Sequence, residues 1–121
     1  MHETFAPGSY GHTLWAGLDI KPQDLKVQKF RFGAFVPGSS DLHATLQDKG
    51  IDALIVTGTA TNVCCESTAR DAMMLNYKVI FVSDGTATHS DTEHNATLAN
   101  TVTNFADVMT TEEIIGNIRR A

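Results

Sequence analysis

Two short apolar runs in the middle of the chain predict two buried strands. Leu54–Thr57 and Val79–Val82 contain no charged residue, a pattern typical of strands that are covered on both faces. The first run ends at Gly58 and the second at Ser83-Asp84-Gly85, where turns are expected. A segment with helical spacing follows each run, so the pattern predicts a repeated unit of strand, turn and helix.

Capping residues and apolar spacing predict four helices. The first begins at Ser39 or Ser40 and ends at Gly50, and the second runs from about Asn62 to Leu75, with Asn76 as its left-handed terminator. The third and fourth begin at Ser/Thr-x-x-Glu capping boxes and each carries an apolar stripe. Their capping and apolar residues are Ser90, Glu93, Leu98, Val102 and Phe105, and then Thr110, Glu113, Ile114, Ile115 and Ile118.

The order of the elements predicts the fold class. Asp24–Phe32 alternates between apolar and polar residues and is predicted to be a strand, as is the short run Val108–Met109. Residues 1–23 have turn chemistry without a clear period. Strands and helices then alternate as in a three-layer α/β/α protein with a parallel, Rossmann-like sheet, and residues 1–121 are predicted to form one domain.

The topology also predicts where a ligand would bind. In open parallel sheets ligands bind at the carboxyl ends of the strands, and the segments after Lys29, Gly58 and Asp84 lie at that edge. Cys64 falls in the first turn of a predicted helix, where unpaired backbone N–H groups and the helix dipole favour a thiolate. We therefore expect Lys29 and Cys64 to face the same side of the sheet, with Cys64 as a candidate nucleophile.

Helical spacing separates the two adjacent cysteines. Cys65 shares a stripe of small residues with Ala69, Ala72 and Met73 and is predicted to be a buried spacer, while Cys64 lies about 100° around the helix axis. From spacing alone two alternatives are open: Cys64 is reactive, or both cysteines are packing residues, as free cysteines often are. A disulfide between the two is not expected, because adjacent helical cysteines cannot reach the required geometry.

Composition narrows the class of protein. The chain has 121 residues, of which 42% are apolar and 19% charged, and a net charge of −5. The acidic balance argues against a nucleic-acid partner, and no apolar run reaches the roughly 20 residues of a membrane span. The N-terminus does not resemble a secretory signal, so a cytoplasmic setting is expected. No phosphate-binding glycine motif is present, which argues against a nucleotide cofactor.

Three segments resemble one known family. Gly58–Ala72 resembles the signature of the isochorismatase-like cysteine hydrolases, which include nicotinamidase, N-carbamoylsarcosine amidohydrolase and ureidoacrylate amidohydrolase. Lys29–Phe35 resembles the family's lysine segment, Lys-x-Arg-Tyr-Ser-Ala-Phe, with Gly33 in place of the serine. Tyr77–Ala87 resembles the next strand and loop, and the similarity spans about residues 24–115. The matching signature residues are Gly58, Thr61, Cys64, Thr68, Ala69, Asp71 and Ala72.

The resemblance implies a mechanism. Cys64 would be the nucleophile that forms a thioester, and Lys29 the lysine of an Asp-Lys-Cys triad. A non-proline cis peptide is implied at Thr59–Ala60, and the backbone N–H groups of Ala60 and Cys64 would form the oxyanion hole. The implied substrate is a small amide or ureido compound whose C–N bond is hydrolysed. Members that act on the isochorismate vinyl ether generally lack the cysteine, so isochorismatase activity is the weaker option.

The substrate pocket is expected to include Phe35 and Thr61. His89–His94 contains metal-ligand residue types, but it is interpreted as a polar loop and helix cap in which Glu93 and His94 face solvent. The metal motif of the nicotinamidases, which lies near their N-terminal region, is not seen. No metal or other cofactor is therefore expected.

One family feature is absent from the sequence. Members begin with an apolar strand that ends in Asp-Met-Gln or a similar triplet, and nothing before Asp24 resembles it. The chain is therefore expected to form the C-terminal two thirds of the family domain, without its first strands. Asp19, Asp24 and Asp41 do not occupy the motif position, and none of them is assigned the catalytic role.

Three accounts of this departure are open. The sequence is a truncated reading of a longer gene, which is favoured, or a short chain with poor turnover, or a chain that takes strands from a partner subunit. Because a parallel sheet must cover its edges, poor solubility or a homo-oligomer is expected. The alternative function is that of a catalytically impaired family member acting as an interaction or assembly module.

Overall fold

A parallel sheet with helices packed against it forms the body of the protein. A computed structural model describes residues 6–120. In this part of the chain the strands are β1 (Ala53–Thr59), β2 (Lys78–Ala87) and β3 (Asp107–Met109), and the helices are α1 (Leu42–Asp48), α2 (Glu66–Met74), α3 (Asp91–Asn104) and α4 (Thr111–Ile118). The strand order is β1-β2-β3 and both pairs are parallel, which confirms the predicted α/β fold.

Strand β2 is the buried centre of the sheet, whereas β1 is an edge strand. Phe81 and Val82 of β2 are 0% and 2% exposed. The described structure places a neighbouring strand on one side of β1 alone. Val56 is the buried residue of β1, whereas Ile55, which points to the opposite face, is 49% exposed. The prediction of a strand covered on both faces is therefore confirmed for residues 79–82 and wrong for residues 54–57.

A bulge interrupts the pairing of β1 with β2 near the carboxyl end of the sheet. The two strands pair in register up to Val56 and Phe81, and they pair again from Gly58 and Thr86. Residues 82–85 of β2 therefore have no partner on β1. Strand β2 continues past this bulge, beyond the end at residue 82 that its apolar run predicts.

The segment Asp24–Phe32 is not a strand, contrary to the prediction. It pairs with no strand in the described part of the chain, and the side chains of Leu25, Phe30 and Phe32 are 53%, 69% and 67% exposed. The backbone N–H of Phe30 donates to the hydroxyl of Ser39 at 2.8 Å and not to a neighbouring strand. Alternation of apolar and polar residues tells which side chains share a face, but a strand also needs a neighbour for its backbone groups.

The chain before this segment is irregular. Residues 6–23 contain one short 3-10 turn, Tyr10–His12, and no α-helix or strand. No helix within residues 6–120 has the length and apolar character needed to cross a membrane.

The four predicted helices are present, and their ends follow local signals. The hydroxyl of Ser40 accepts the first N–H of α1 at 3.1 Å, and Gly50 stops the chain after this helix with a φ of +66°. Asn76 follows α2 with a φ of +68°, as a left-handed terminator should. Thr110 and Glu113 form the complete capping box of α4.

The inward face of α3 is more polar than predicted: Leu98 of the predicted apolar stripe packs against the core, but the two fully buried residues of the helix are threonines. Thr97 and Thr101 are 4% and 1% exposed, whereas Val102, which apolar spacing assigns to the buried stripe, is 57% exposed. The hydroxyl of Thr97 donates to the Glu66 carboxylate of α2 at 2.9 Å. A polar contact between two helices thus helps to set the rotation of α3, and apolar spacing does not report such a contact.

Candidate active site

Cys64 lies in a tight turn between β1 and α2. The Thr59–Ala60 peptide bond is cis, at the position that the resemblance implies, and Thr61–Cys65 forms one π-helical turn, which we call the cysteine turn. The carbonyl oxygen of Ala60 closes this turn by accepting two backbone N–H groups, at 3.1 and 3.2 Å. Gly58 has a φ of +114°, a conformation that favours glycine. Cys64 is left half-buried where β1 ends.

The side chain of Lys29 reaches the sulfur of Cys64. Lys29 Nζ lies 3.7 Å from Cys64 Sγ, and it also donates to the carbonyl oxygens of Arg31 and Phe32 at 3.0 and 3.3 Å. An ammonium group has three N–H donors. Two of them fix the head of Lys29 on its own loop, and the third is directed at the sulfur. The structure therefore brings together the two side chains that the sequence assigns to catalysis.

The loop that carries Lys29 is docked on helix α2. The backbone N–H of Ala34 donates to the hydroxyl of Thr68 at 3.1 Å. Gly33 lies against Asp71, because a Cβ at position 33 would stand 2.8 Å from the Asp71 carboxylate oxygen. The expectation that Lys29 and Cys64 meet is confirmed, but the route differs from the prediction: a loop held on α2 delivers the lysine, and not the end of a strand.

The neighbouring thiol of Cys65 is chemically different from that of Cys64. Cys65 is 4% exposed, and its Sγ lies 3.7 Å from the carbonyl oxygen of Thr57. The pKa of the Cys65 thiol is raised to about 11, mainly by burial and also by a negative charge on Cys64, while the Lys29 cation acts in the opposite direction. Cys65 is therefore a protonated thiol near neutral pH, in agreement with its predicted role as a buried spacer.

A cavity of about 380 Å³ opens beside Lys29 and Cys64. Most of its wall is apolar, and within the described structure no Asp or Glu side chain contributes to it. The residues that line it are Lys29, Ala34, Phe35, Leu42, Leu46, Leu54, Ile55, Val56, Thr57, Gly58, Thr59, Cys64, Cys65 and Thr68. The expected pocket residue Phe35 is thus on the wall.

Two rings fix the position of Phe35. Its ring centroid lies 5.5 Å from that of Tyr77 and 6.2 Å from that of His43. His43 Nδ1 and the Tyr77 hydroxyl are 2.8 Å apart, at hydrogen-bond distance. Offset and edge contacts of this kind are favourable for aromatic rings. The aromatic wall of the cavity is therefore supported from behind by a hydrogen-bonded pair.

The structure does not place Thr61 on the cavity wall, contrary to the prediction. Thr61 is 0% exposed, and its hydroxyl lies 2.9 Å from His94 Nδ1. His94 does not face solvent as expected, because it is half-buried and its Nε2 lies 3.0 Å from the carbonyl oxygen of Ser83. Both residues turn inward, toward each other.

His94 is the residue that sequence reasoning missed. A signal for it exists in the spacing of α3, since His94, Thr97 and Thr101 recur at i, i+3 and i+7 and all three turn inward. Apolar spacing does not detect this stripe, because its members are polar. Within residues 6–120, no three His, Cys, Asp or Glu side chains converge as a metal site would require.

The carboxylates before α1 lie away from the cavity. Asp19 pairs with Lys21 at 2.6 Å, and the Asp24 carboxylate accepts the backbone N–H of Lys21 at 2.8 Å. Asp41 immediately precedes α1. None of the three is among the residues that line the cavity. The structure therefore gives no reason to assign any of them the role of the family aspartate.

Comparison with known proteins decides the family. The sequence model of the isochorismatase domain matches residues 1–113. The chain belongs to the isochorismatase family. The match begins at the first residue, so it extends further toward the N-terminus than the segment from about residue 24 in which the motifs are visible.

Relatives of this isochorismatase-family chain are longer than it is. The uncharacterized isochorismatase family protein YwoC of Bacillus subtilis (strain 168) is 38% identical over 102 residues, which are 84% of this chain and 53% of YwoC. Ureidoacrylate amidohydrolase RutB of Methylobacterium radiotolerans is 37% identical over 125 residues, 98% of this chain and 47% of RutB. This chain thus spans about half the length of these curated relatives.

A solved structure supports the same relationship. The crystal structure of a cysteine hydrolase from Pseudomonas syringae pv. phaseolicola 1448A superposes with a TM-score of 0.90 at 29% identity. The superposition covers 98% of this chain and 62% of that chain. The isochorismatase-family fold therefore extends over nearly the whole of the present sequence.

Proposed function

We propose that this isochorismatase-family chain carries the site of a cysteine amidohydrolase, which cleaves the C–N bond of a small amide or ureido compound. The observation that supports this most is the distance of 3.7 Å between Lys29 Nζ and Cys64 Sγ at the wall of the cavity. A cation beside the sulfur favours the thiolate, the nucleophilic form of cysteine. The names of two relatives support the proposal: RutB is named an amidohydrolase, and the solved structure is that of a cysteine hydrolase.

The proposed reaction has two halves. The Cys64 thiolate attacks the carbonyl carbon of the bound amide, while the backbone N–H groups of Ala60 and Cys64 stabilise the oxyanion. The C–N bond then breaks, and the nitrogen takes up a proton and leaves as ammonia or an amine. The acyl group stays on the sulfur as a thioester. Water attacks the thioester, releases the carboxylic acid and restores the thiolate.

The cavity supports a compact substrate. Its volume of about 380 Å³ lies near the lower end of the range for small-molecule sites. The walls beside Cys64 are apolar, with Phe35 on one side. We therefore propose an acyl part that is small and apolar or unsaturated, with the scissile carbonyl directed at the sulfur. Because the N–H donors of Lys29 are already directed at two carbonyl oxygens and the sulfur, the lysine would act on Cys64 and not on a distant substrate group.

Proton transfer is the step of the reaction for which the described site has the fewest suitable side chains. The leaving nitrogen needs a general acid, and the described cavity wall offers Lys29 but no carboxylate. Positioned acids and bases contribute typically about 10²–10⁴-fold to rate. We therefore expect turnover by this chain to be slower than that of RutB by about this factor. This observation also favours a second candidate function, that of a binding or assembly module without useful turnover.

Ammonia release from a panel of small amides tests the proposal. The panel contains ureidoacrylate, nicotinamide and simple carbamoyl compounds, and the protein is the purified chain of 121 residues. Cys64→Ala should abolish turnover, and Lys29→Ala should lower it by about 10²-fold, because the first removes the nucleophile and the second the cation and acid beside it.

Two matched variants control this experiment. Cys65→Ala removes the buried neighbouring thiol, and Lys26→Ala removes an exposed lysine that lies earlier on the same segment and does not line the cavity. Both should retain turnover. Equal background from wild type, Cys64→Ala and Lys29→Ala would refute the amidohydrolase and favour the binding module.

A further inference from the structure

We propose that His94 is a positioning residue for the cysteine turn and acts through the hydroxyl of Thr61. The inference rests on the proposed function, since the turn matters because it carries Cys64. It starts from a hydrogen-bond chain that the reaction above does not use. His94 Nδ1 lies 2.9 Å from Thr61 Oγ1, and His94 Nε2 lies 3.0 Å from the carbonyl oxygen of Ser83.

In the neutral imidazole, the Ser83 carbonyl fixes the direction of both hydrogen bonds. A carbonyl oxygen only accepts, so the Nε2 that faces it carries a proton and donates. In the neutral imidazole the other ring nitrogen is an acceptor. His94 Nδ1 therefore accepts the hydroxyl proton of Thr61, and the ring bridges the cysteine turn to strand β2.

Thr61 is well placed to transmit this contact. It is the first residue of the cysteine turn and is 0% exposed, so water cannot replace a lost hydrogen bond. Ser83, at the other end of the bridge, lies in the bulge of β2 where no residue of β1 is its partner. Its hydroxyl donates to the carbonyl oxygen of Met109 at 3.3 Å, which ties the bulge to β3. The bridge thus runs from the cysteine turn to the far side of the sheet.

A second contact holds the next residue of the turn. The hydroxyl of Thr88, between β2 and α3, donates to Asn62 Oδ1 at 2.7 Å. Two consecutive residues of the cysteine turn are therefore held by side chains from the same β2–α3 region. These side-chain contacts hold the cysteine turn in addition to its own backbone hydrogen bonds. They therefore also fix the position of Cys64 relative to Lys29.

Alkylation of Cys64 by iodoacetamide measures this role without depending on a known substrate. The rate constant is followed by mass spectrometry across pH, together with kcat and KM where turnover is measurable. Thr61→Val removes the hydroxyl at nearly constant shape. His94→Gln places its amide nitrogen where Nε2 was and keeps the Ser83 contact, whereas His94→Asn places its amide oxygen where Nδ1 was and keeps an acceptor for Thr61.

The alkylation rate constants of the variants should depend on which hydrogen bond each variant keeps. Misplacement of a reacting group by about 1 Å can cost about 10²-fold, so we expect Thr61→Val and His94→Gln each to lower the rate constant by about tenfold, with a lower kcat and little change in KM. His94→Asn and Thr61→Ser should lose less than about threefold. The double variant Thr61→Val/His94→Gln should be no slower than the slower single variant, because both break the same contact.

A control and two outcomes keep the proposal open to refutation. Thr101→Val makes the same change as Thr61→Val, but at a buried position on α3, and it should leave the rate constant unchanged. Equal rate constants for His94→Asn and His94→Gln, or losses that multiply in the double variant, would overturn the positioning role while Cys64 stayed reactive in wild type. If wild-type Cys64 reacts no faster than free cysteine, the proposed function itself fails, which is a different result.

Discussion

Glu66, which directly follows the two cysteines, is held by the side chains of three other residues. Its carboxylate accepts hydrogen bonds from Arg70 at 2.6 Å, from Thr97 at 2.9 Å and from Asn100 at 3.3 Å. Burial raises the pKa of Glu66, but the hydrogen bonds from these three residues outweigh it, so the pKa lies below its ordinary value. Arg70 also stacks over the ring of Phe105, 4.3 Å from its centroid. Glu66, on α2, thereby ties α3 to the helix that follows Cys64.

The lowered pKa of Glu66 predicts a pH dependence of stability. A carboxylate with a lower pKa in the folded state contributes stability that is present above its unfolded pKa and is lost as pH falls through the folded pKa. The free energy of unfolding should therefore decline as pH is lowered below the ordinary value of 4.5. Glu66→Gln should cost about 1–2 kcal/mol at pH 7 and flatten this acid limb. Urea unfolding from pH 7 to pH 3 tests this, and an unchanged acid limb in the variant would contradict it.

At the scale of elements, α3 has two buried threonines, which differ in whether the hydroxyl makes a hydrogen bond. The hydroxyl of Thr97 donates to Glu66, whereas the buried hydroxyl of Thr101 has no hydrogen-bond partner among residues 6–120. A buried polar group without a partner costs free energy, and one that is bonded to a charge contributes it. The two positions therefore offer a matched pair on one helix.

Replacing each threonine by valine should change stability in opposite directions. Thr101→Val removes an unpaired hydroxyl at constant shape and should raise the free energy of unfolding by about 1 kcal/mol. Thr97→Val breaks the bond to Glu66 and should lower it by about 1–3 kcal/mol. Urea denaturation at pH 7 measures both. Destabilisation by Thr101→Val as large as that by Thr97→Val would show that the Thr101 hydroxyl has a partner after all.

At the scale of the whole molecule, the sheet explains why the site lies where it does. Strand β2 supplies the buried centre, and β1 leads directly into the cysteine turn at the carboxyl end of the sheet. Strand β1 is also the open edge of the described sheet, and the cavity lies beside it. The expectation of a homo-oligomer stays a prediction, as do the cytoplasmic setting and the three accounts of the absent family aspartate.

Local signals in the sequence predicted much of this architecture. The apolar run Val79–Val82, the capping box of Thr110 and Glu113 and the terminator Asn76 depend on residues close together in the chain, and all three predictions are confirmed. The pairing of Lys29 with Cys64 was predicted from the topology of a parallel sheet and was also implied by the family resemblance. It required a loop docked on α2, which no periodicity describes.

The failures share a physical cause. Asp24–Phe32 alternates like a strand, yet whether it forms one depends on a neighbour elsewhere in the fold. His94 and Thr61 are polar and were expected at the surface or at the cavity wall. In the structure, the two side chains are hydrogen-bonded to each other in the interior of the protein. Partners distant in sequence decide such cases, and one chain read alone does not reveal them.

The central claim is that Cys64, and not Cys65, is the activated thiol, and one measurement tests it most directly. Iodoacetamide labelling is followed at each cysteine by peptide mass spectrometry from pH 6 to pH 11, in wild type and in Lys29→Met. Near neutral pH, Cys64 should react faster than free cysteine, and Lys29→Met should slow it. Cys65 should react only as pH approaches about 11, where its buried thiol ionises. Labelling of both cysteines at the rate of free cysteine, or no effect of Lys29→Met, would contradict the account.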